Sequence, residues 1–221
     1  MAEEGLVWPS LDAIWISHFH LDHCGGLVSF LFATKWAPQT KHRRKPLVIF
    51  GGEGLEGLLN AFDRAGDYEL LKQPFAINVR EVGPRSAFEI LPDLRAEVFS
   101  TPHTRESLAL RLTDANGTSL VYTSDTGYSD ALADFARGVD LFVMECSFRK
   151  NKTSQTHLEL ADAMRLAERA QPRRVVLTHL YPEWDGTDIE SEARGLWPGA
   201  VVAARDGLRL RIDAINQASV P

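Results

Sequence analysis

Short apolar runs typical of buried strands alternate with helical patterns along most of this chain. The run 13–17 (AIWIS) predicts a strand, and 25–36 (GGLVSFLFATKW) predicts a helix. Between residues 75 and 123 the pattern changes to successive strands, the last two joined by the turn sequence DANG. The segment 200–212 (AVVAARDGLRLRI) predicts a closing pair of strands. The alternation indicates a mixed α/β fold built in layers.

Size and charge bound the fold and the partners. A chain of 221 residues, 44% of them hydrophobic, is long enough to bury one sizeable core, so we expect a single domain over residues 1–221. The net charge of -6 argues against a broadly basic nucleic-acid surface. The basic segment KHRRK, 41–45, is interpreted as a solvated loop. Nucleic acid is left open as a partner but is not favoured.

The expected cellular compartment depends on signal-peptide, membrane-span and cysteine patterns in the sequence. The start MAEEGLVWPS has no signal-peptide pattern, and no apolar run reaches the roughly 18 residues that a membrane span needs. The two cysteines, Cys24 and Cys146, lie far apart and give no sign of an oxidising compartment. We therefore expect a cytoplasmic protein without a membrane partner.

Polar side chains that can bind a metal follow several of the predicted strands, where loops carried by a rigid sheet can converge. Three histidines and an aspartate are packed into 18–23 (HFHLDH), and further candidates follow later strands. The candidate metal ligands are His18, His20, Asp22, His23, His103, Asp125 and His179.

The composition of this set points to a dinuclear centre. Imidazole and carboxylate are the usual ligands of borderline divalent ions such as zinc, and a catalytic site keeps a position for water. Five histidines and two aspartates exceed the needs of one tetrahedral ion. They suit two ions about 3.5–4 Å apart that share a carboxylate.

These residues resemble a known family. HFHLDH is similar to the His-x-His-x-Asp-His signature of the metallo-β-lactamase superfamily, and the later ligands fall in that family's order. LVYTSDTG, DLFVMECSF and VVLTHLYP resemble its strand-plus-ligand segments. The resemblance implies an α/β fold of the metallo-β-lactamase-like αββα sandwich type. It also implies two divalent ions, zinc or alternatively manganese.

The family pattern distributes the ligands between two ions. One ion would be held by His18, His20 and His103. The other would be held by Asp22, His23 and His179. Asp125 would bridge the two, and a bridging hydroxide would be the nucleophile, with Asp22 helping to orient it. A water bound to zinc has a pKa of about 7, so a hydroxide is available at neutral pH.

The segment SQTHLELADAM resembles the ribonuclease Z branch of the superfamily and its smaller relatives, the cyclic phosphodiesterases. In that branch the equivalent of His157 faces the metals and donates a proton, supported by a glutamate at the position of Glu145. Ribonuclease Z enzymes carry a long tRNA-gripping arm between the positions of His103 and Asp125. Two strands and the DANG turn fill that connection here, so a small phosphodiester is the expected substrate.

One departure from the family concerns the N-terminus. Superfamily members usually begin with several strands before the first histidine, whereas few residues precede His18. The sequence therefore indicates a fold that lacks the usual N-terminal strands: either the start of the sequence is truncated, or the fold is completed differently, for instance by a partner subunit. An exposed sheet edge favours association, so a homo-oligomer is left open.

Several alternatives share these residues. A ribonuclease Z-type tRNA 3′ endonuclease, a lactonase or a thioesterase of the same fold needs the same metals, and an inactive metal-binding protein keeps them without turnover. A lone histidine after a strand is more often structural than a ligand, but the cluster 18–23 makes burial without a shared partner unfavourable. His157 as an exposed histidine near a helix start, and Glu145 as an ordinary strand-end carboxylate, are the alternatives for that pair. The GGEGLEG segment is interpreted as a turn and Cys24 as a packing residue.

Overall fold

The computed structural model describes residues 5–212, which divide into two compact units. The first unit takes residues 5–86 and 104–108, and the second takes 87–103 and 109–212. Each unit has its own sheet and its own cluster of buried apolar side chains. Among the described residues, no helix has the length and apolar character needed to cross a membrane. The expectation of one domain over 1–221 stays a prediction.

The first unit is a parallel sheet with its crossover helices. Its strands pair in the order β1-β2-β3. The elements in chain order are β1 (Ala13–Ile16), α1 (Leu21–Trp36), β2 (Leu47–Gly51), α2 (Leu55–Gly66) and β3 (Ile77–Glu81). Parallel neighbours need crossover connections, which the two helices provide. Leu31 of α1, Ile49 of β2 and Leu55 of α2 are fully buried in one cluster.

Helix α1 begins earlier than the sequence pattern indicates. The pair Gly25 and Gly26 suggested a start at 25, but the helix begins at Leu21. A Cβ added at either glycine would meet no atom within 4 Å, so these glycines are not required by packing. Asp22 lies in the first turn, where a carboxylate is favoured by the helix dipole. Asp22 and His23 therefore belong to the first turn of α1.

The basic segment 41–45 is largely exposed, as expected for a loop, except for Arg43. The Arg43 guanidinium donates to the carbonyl oxygens of Pro9 and Leu11, at 2.6 Å each. One of the positive charges of this segment therefore ties the loop to the residues that precede β1.

The second unit contains a seven-stranded mixed sheet. Its strands run in the order β10-β9-β8-β7-β6-β5-β4. The strands are β4 (Ala87–Leu91), β5 (Leu94–Ser100), β6 (Leu108–Asp114), β7 (Ser119–Tyr122), β8 (Leu141–Glu145), β9 (Arg174–Thr178) and β10 (Ala200–Ala203). The helices are α3 (Asp130–Phe135), α4 (Leu160–Ala170) and α5 (Ile189–Arg194). Because β7, β8, β9 and β10 pair in parallel, their carboxyl ends lie at the same edge of the sheet.

The DANG turn joins β6 and β7 as the sequence predicts. The two strands pair antiparallel, and Asp114 Oδ1 accepts hydrogen bonds from the amides of Asn116 and Thr118, at 2.9 and 2.8 Å. Gly117 has φ 84°, a backbone conformation that glycine adopts readily. The predicted hairpin is confirmed.

Helix α4 packs on the sheet through one apolar face. Leu160, Ala163, Met164 and Ala167 recur at helical spacing and are buried against the cluster of this unit. The helix ends at Gln171, which adopts the left-handed conformation that closes many helices. This packing fixes the chain directly after the loop that carries His157.

The predicted closing pair of strands is only half present. β10 forms over 200–203, but the described residues 208–212 form no strand. Their alternation of Leu and Arg is a local signal of one apolar side, whereas a strand also requires a hydrogen-bonding partner. The described residues that precede β1, 5–12, also form no strand. They contain a 3₁₀ turn, Trp8–Ser10.

Candidate metal centre

The histidine cluster of the first unit lies where β1 meets α1. The His18 ring centroid lies 4.8 Å from that of His20 and 4.1 Å from that of His23. His18 is fully buried. Asp22 Oδ2 lies 3.4 Å from His23 Nε2. Three imidazoles and a carboxylate are thus gathered within one short segment of one unit.

Residues far along the sequence hold this segment in place. The Phe19 amide donates to Glu106 Oε1 at 3.2 Å, and the Leu108 amide donates to the Ser17 carbonyl at 3.1 Å. Burial raises the pKa of Glu106. Hydrogen bonds from Thr104 and from backbone amides, with the charge of His18, lower this pKa by more than burial raises it. The net pKa of Glu106 lies below its usual value, so this carboxylate stays ionised as an acceptor for the Phe19 amide.

Cys24 follows the cluster and packs into the core of its unit. The side chain is 1% exposed, and Sγ donates to the Phe19 carbonyl at 3.3 Å. Burial raises the pKa of the thiol, with smaller contributions from Asp22 and Glu106. Cys24 is therefore a packing residue with a protonated thiol, as the sequence interpretation expects.

Three predicted ligands gather in the second unit. His103 follows β5, Asp125 follows β7 and His179 follows β9. Asp125 Oδ2 lies 3.8 Å from His103 Nε2 and 3.4 Å from His179 Nε2. Asp125 is 2% exposed. The carboxylate therefore faces both imidazoles through one oxygen.

Hydrogen bonds at Nδ1 fix the tautomer and the ring orientation of His103 and His179. His103 Nδ1 lies 2.9 Å from the Thr156 carbonyl oxygen, which can only accept. Ser147 Oγ donates its proton to Glu145 Oε2 at 2.6 Å, and so accepts from His179 Nδ1 at 2.8 Å. Both Nδ1 atoms therefore carry a proton, and both Nε2 lone pairs face Asp125. A second partner at Nδ1 is the usual arrangement of a histidine that binds a metal.

Backbone strain accompanies these strand ends. His179 has φ 55°, and Ser124, which precedes Asp125, has φ 59°. A residue with a side chain costs roughly 1–2 kcal/mol in this left-handed region. Such strain persists where the surrounding structure fixes the chain, and it is concentrated at functional sites. At these two positions it accompanies the turn of the chain away from the sheet edge.

Glu145 and His157 form a buried pair beside this group. His157 Nδ1 lies 2.9 Å from Glu145 Oε1, and Glu145 is 1% exposed. The carboxylate also accepts from the amides of Thr126 and Leu158, at 2.7 and 3.2 Å. With the Ser147 hydroxyl added, the buried charge is fully surrounded by donors, which burial of a charge requires. The catalytic roles predicted for His157 and Glu145 stay predictions.

His157 lies against the candidate ligands of its own unit. Its ring stacks on that of His179 at 5.6 Å with an interplanar angle of 8°, and lies 4.8 Å from the ring of His103. Asp125, His157 and His179 each offer a ligand atom within 4.8 Å of the others. The geometry thus permits two roles for His157: a ligand, or a group that works beside the ligands.

Cys146, between Glu145 and Ser147, has no part in this group. The side chain is fully buried, and burial, with the charge of Glu145, raises the pKa of its thiol far above the usual value. The thiol therefore stays protonated and does not compete for a metal ion.

Gly127 is needed for the loop of His157 to approach the Asp125 turn. A Cβ at Gly127 would lie 2.2 Å from the Gln155 carbonyl oxygen, and the Gly127 amide donates to Pro102 at 3.0 Å. Gly127→Ala is therefore expected to displace the 155–157 segment and destabilise the protein by about 1–3 kcal/mol. Denaturant unfolding measures this. Gly57→Ala, in an open position on α2, should leave stability unchanged or slightly higher. An unchanged unfolding midpoint for Gly127→Ala would contradict the close approach.

The supporting residues were not found from the sequence. Ser147 and Glu106 are polar residues of ordinary type, and Thr156 acts through its backbone carbonyl, for which side-chain identity gives no signal. The only sequence indication for Ser147 is its position just past β8, at the edge where the ligands gather. Each becomes recognisable only once tertiary contacts bring it to a ring nitrogen or a loop amide.

Comparison with known proteins identifies the family. Residues 3–180 match the family described as the beta-lactamase superfamily domain, a stretch that includes every predicted ligand from His18 to His179. The chain belongs to the metallo-β-lactamase superfamily. This metallo-β-lactamase superfamily member is therefore a metallo-hydrolase of that fold, and its His/Asp clusters suit divalent metal ions. The predicted α/β, metallo-β-lactamase-like fold is confirmed.

This superfamily member is similar to three individual proteins in sequence or structure. It is 33% identical over 213 residues to the uncharacterized protein ML1173 of Mycobacterium leprae, covering 93% of this chain and 72% of that protein. It is 27% identical over 250 residues to ribonuclease Z of Methanopyrus kandleri, covering 95% and 82%. The crystal structure of the metallo-beta-lactamase fold protein YhfI from Bacillus subtilis matches with a TM-score of 0.74 and 27% identity, covering 92% and 79%. The predicted resemblance to the ribonuclease Z branch is confirmed.

Proposed function

We propose that this protein is a dinuclear zinc-dependent phosphodiesterase that acts on small phosphodiesters, with manganese as the alternative metal. The ligands follow the family pattern. The ligands proposed for one ion are His18, His20 and His103, those for the other are Asp22, His23 and His179, and Asp125 is shared. Two observations support the metal assignment: the Nε2 lone pairs of His103 and His179 face one Asp125 oxygen, and their Nδ1 atoms are engaged elsewhere.

The observation that carries the phosphodiesterase proposal is the His157–Glu145 pair. The five histidines proposed as ligands suffice for two metal ions, yet a further imidazole, that of His157, binds its own buried carboxylate. Phosphodiester cleavage releases an alkoxide, a poor leaving group that benefits from a proton donor. A thioester releases a thiolate, which has less need of such a donor, so the pair favours phosphodiester over thioester chemistry, and substrate assays distinguish the lactonase alternative.

Roles in the proposed reaction follow for three residues of the chain: His157, Glu145 and Asp22. When bound, two divalent ions supply charge stabilisation for the phosphoryl oxygens and a water of lowered pKa. Glu145, an acceptor, holds the Nδ1 proton of His157 and so orients the ring. The Nε2 proton of the doubly protonated ring is then available for transfer to the departing oxygen. Asp22, exposed in the first turn of α1, is proposed to orient the attacking water.

The connection between His103 and Asp125 supports a small substrate. Within it, β6 and β7 pair directly as a hairpin closed by the DANG turn. No extension that could grip a folded RNA leaves this hairpin within residues 104–124. The net charge of -6 supports the same choice, because binding of a nucleic-acid backbone is favoured by clustered positive charge. The name of the Methanopyrus relative makes a tRNA 3′ endonuclease the alternative to test.

The test combines metal analysis with substrate choice. The purified protein should contain about two zinc or manganese ions per chain, the number expected for a dinuclear centre. It should hydrolyse bis-p-nitrophenyl phosphate and a 2′,3′-cyclic nucleotide, and process pre-tRNA poorly. Efficient trimming of pre-tRNA 3′ ends would instead identify a ribonuclease Z-type endonuclease. Turnover of lactones or thioesters without diester hydrolysis would identify the alternative hydrolases of this fold.

A further inference from the structure

A small cavity opens beside His179 on the second unit. It has a volume of about 210 Å³. The residues that line it are Thr178, His179, Leu180, Ala204, Arg205 and Asp206. β9 and β10 pair in parallel, so the residues that follow them, His179 and Ala204, leave the sheet at the same edge. The cavity is therefore continuous with the strand edge that carries the candidate ligands of this unit.

Arg205 differs from most arginines of its unit. Its side chain is exposed, and within residues 5–212 its guanidinium makes no ion pair or hydrogen bond. Seven other arginines of the unit have carboxylate partners: Arg95, Arg137, Arg149, Arg165, Arg169, Arg173 and Arg194. In a chain with 30 acidic and 24 basic residues, a cation left without an acidic partner is available for an anionic ligand.

The backbone around Arg205 is held at a defined position. The Ala204 amide donates to the Leu177 carbonyl at 2.8 Å, and the Leu208 amide donates to the Arg205 carbonyl at 3.0 Å, closing a turn. Arg205 thus stands at a fixed turn on the rim of the cavity. A guanidinium offers a planar pair of donors that matches two oxygens of a phosphate.

We propose that this cavity is an anion subsite in which Arg205 binds a second phosphate group of the substrate. The inference rests on the proposed function, because the scissile phosphate is taken to lie at the metal ligands. Asp206 lines the same cavity and repels an anion. The Arg205 guanidinium nevertheless favours a phosphate monoester, which presents three oxygens and up to two negative charges, over a singly charged carboxylate. The preferred substrates are phosphodiesters that carry an additional terminal phosphate.

The test measures binding rather than turnover. Isothermal titration calorimetry of the metal-loaded protein compares thymidine 3′,5′-bisphosphate with thymidine 5′-monophosphate, which differ by one phosphate. The parent protein should bind the bisphosphate about tenfold more tightly. Arg205→Ala should reduce this ratio to about one while leaving the affinity for the monophosphate unchanged. Asp206→Asn should increase the ratio by up to about fivefold, since it removes an exposed like charge.

A matched control is Arg194→Ala, which removes an exposed arginine of α5 outside the cavity and should leave the ratio unchanged. A ratio near one in the parent protein, or one that Arg205→Ala does not alter, would overturn the subsite. Failure of the proposed function has a different signature. In that case the metal-loaded protein shows no diester turnover, whereas calorimetry on the same protein still measures the Arg205-dependent ratio.

Discussion

Asp125→Ala is expected to lower the metal content of the purified protein from about two ions per chain to well below one, because the side chain is the shared ligand of the proposed centre. Its Oδ2 lies within 4 Å of Nε2 of both His103 and His179. The loss should exceed the roughly 10- to 100-fold in affinity that removal of an outer partner of a ligand costs. Elemental analysis after desalting gives the content directly.

The same variant separates metal loss from misfolding. The Asp125 backbone carbonyl, which accepts from Thr101 Oγ1 at 3.0 Å, is unaffected by truncation of the side chain. Added zinc should raise the melting temperature of the parent chain and not that of Asp125→Ala, since only a bound ligand stabilises the folded state. Asp130→Asn, an exposed carboxylate change on α3, serves as the control and should retain both ions. Two ions retained by Asp125→Ala would refute a shared ligand.

His157→Ala is expected to reduce turnover by about 10²–10⁴ when the leaving group is an alkoxide, as in a 2′,3′-cyclic nucleotide. Loss should be much smaller for p-nitrophenolate, a stable anion that leaves without a proton. The metal content should stay unchanged. Steady-state kinetics on both substrates, with elemental analysis, measure all three quantities.

Other outcomes assign His157 differently. Equal losses on both substrates would make it a residue that positions the phosphate, and loss of metal would make it a ligand, which its distance from Asp125 and His179 permits. Glu145→Gln is the matched partner variant. It keeps the shape of the side chain but removes the charge that holds the Nδ1 proton. We expect it to reproduce the leaving-group dependence in weaker form.

Much of the fold was predictable because its signals are local. β1, β8 and β9 are short apolar runs, and the DANG turn carries the residues that such a hairpin needs. The candidate ligands could be proposed on similar grounds, because they lie near the ends of predicted strands and a metal ligand must have a particular chemical type.

The rest depends on contacts between distant parts of the chain. The true start of α1 and the missing strand at 208–212 are set by tertiary partners that periodicity does not report. Ser147 binds His179 across 32 positions of sequence, and the Thr156 carbonyl binds His103 across 53. No residue-type pattern predicts such pairs. The sequence therefore indicates the reacting groups better than the residues that orient them.

Glu145 connects two parts of the site that the sequence presents as separate. One oxygen binds His157, and the other binds Ser147, whose hydroxyl in turn accepts from His179. Substitutions at Glu145 and Ser147 should therefore be non-additive, because each disturbs the hydrogen bonds on which the other depends. One substitution that removes the carboxylate is therefore expected to disturb the orientation of both imidazoles, the proposed acid and the proposed ligand.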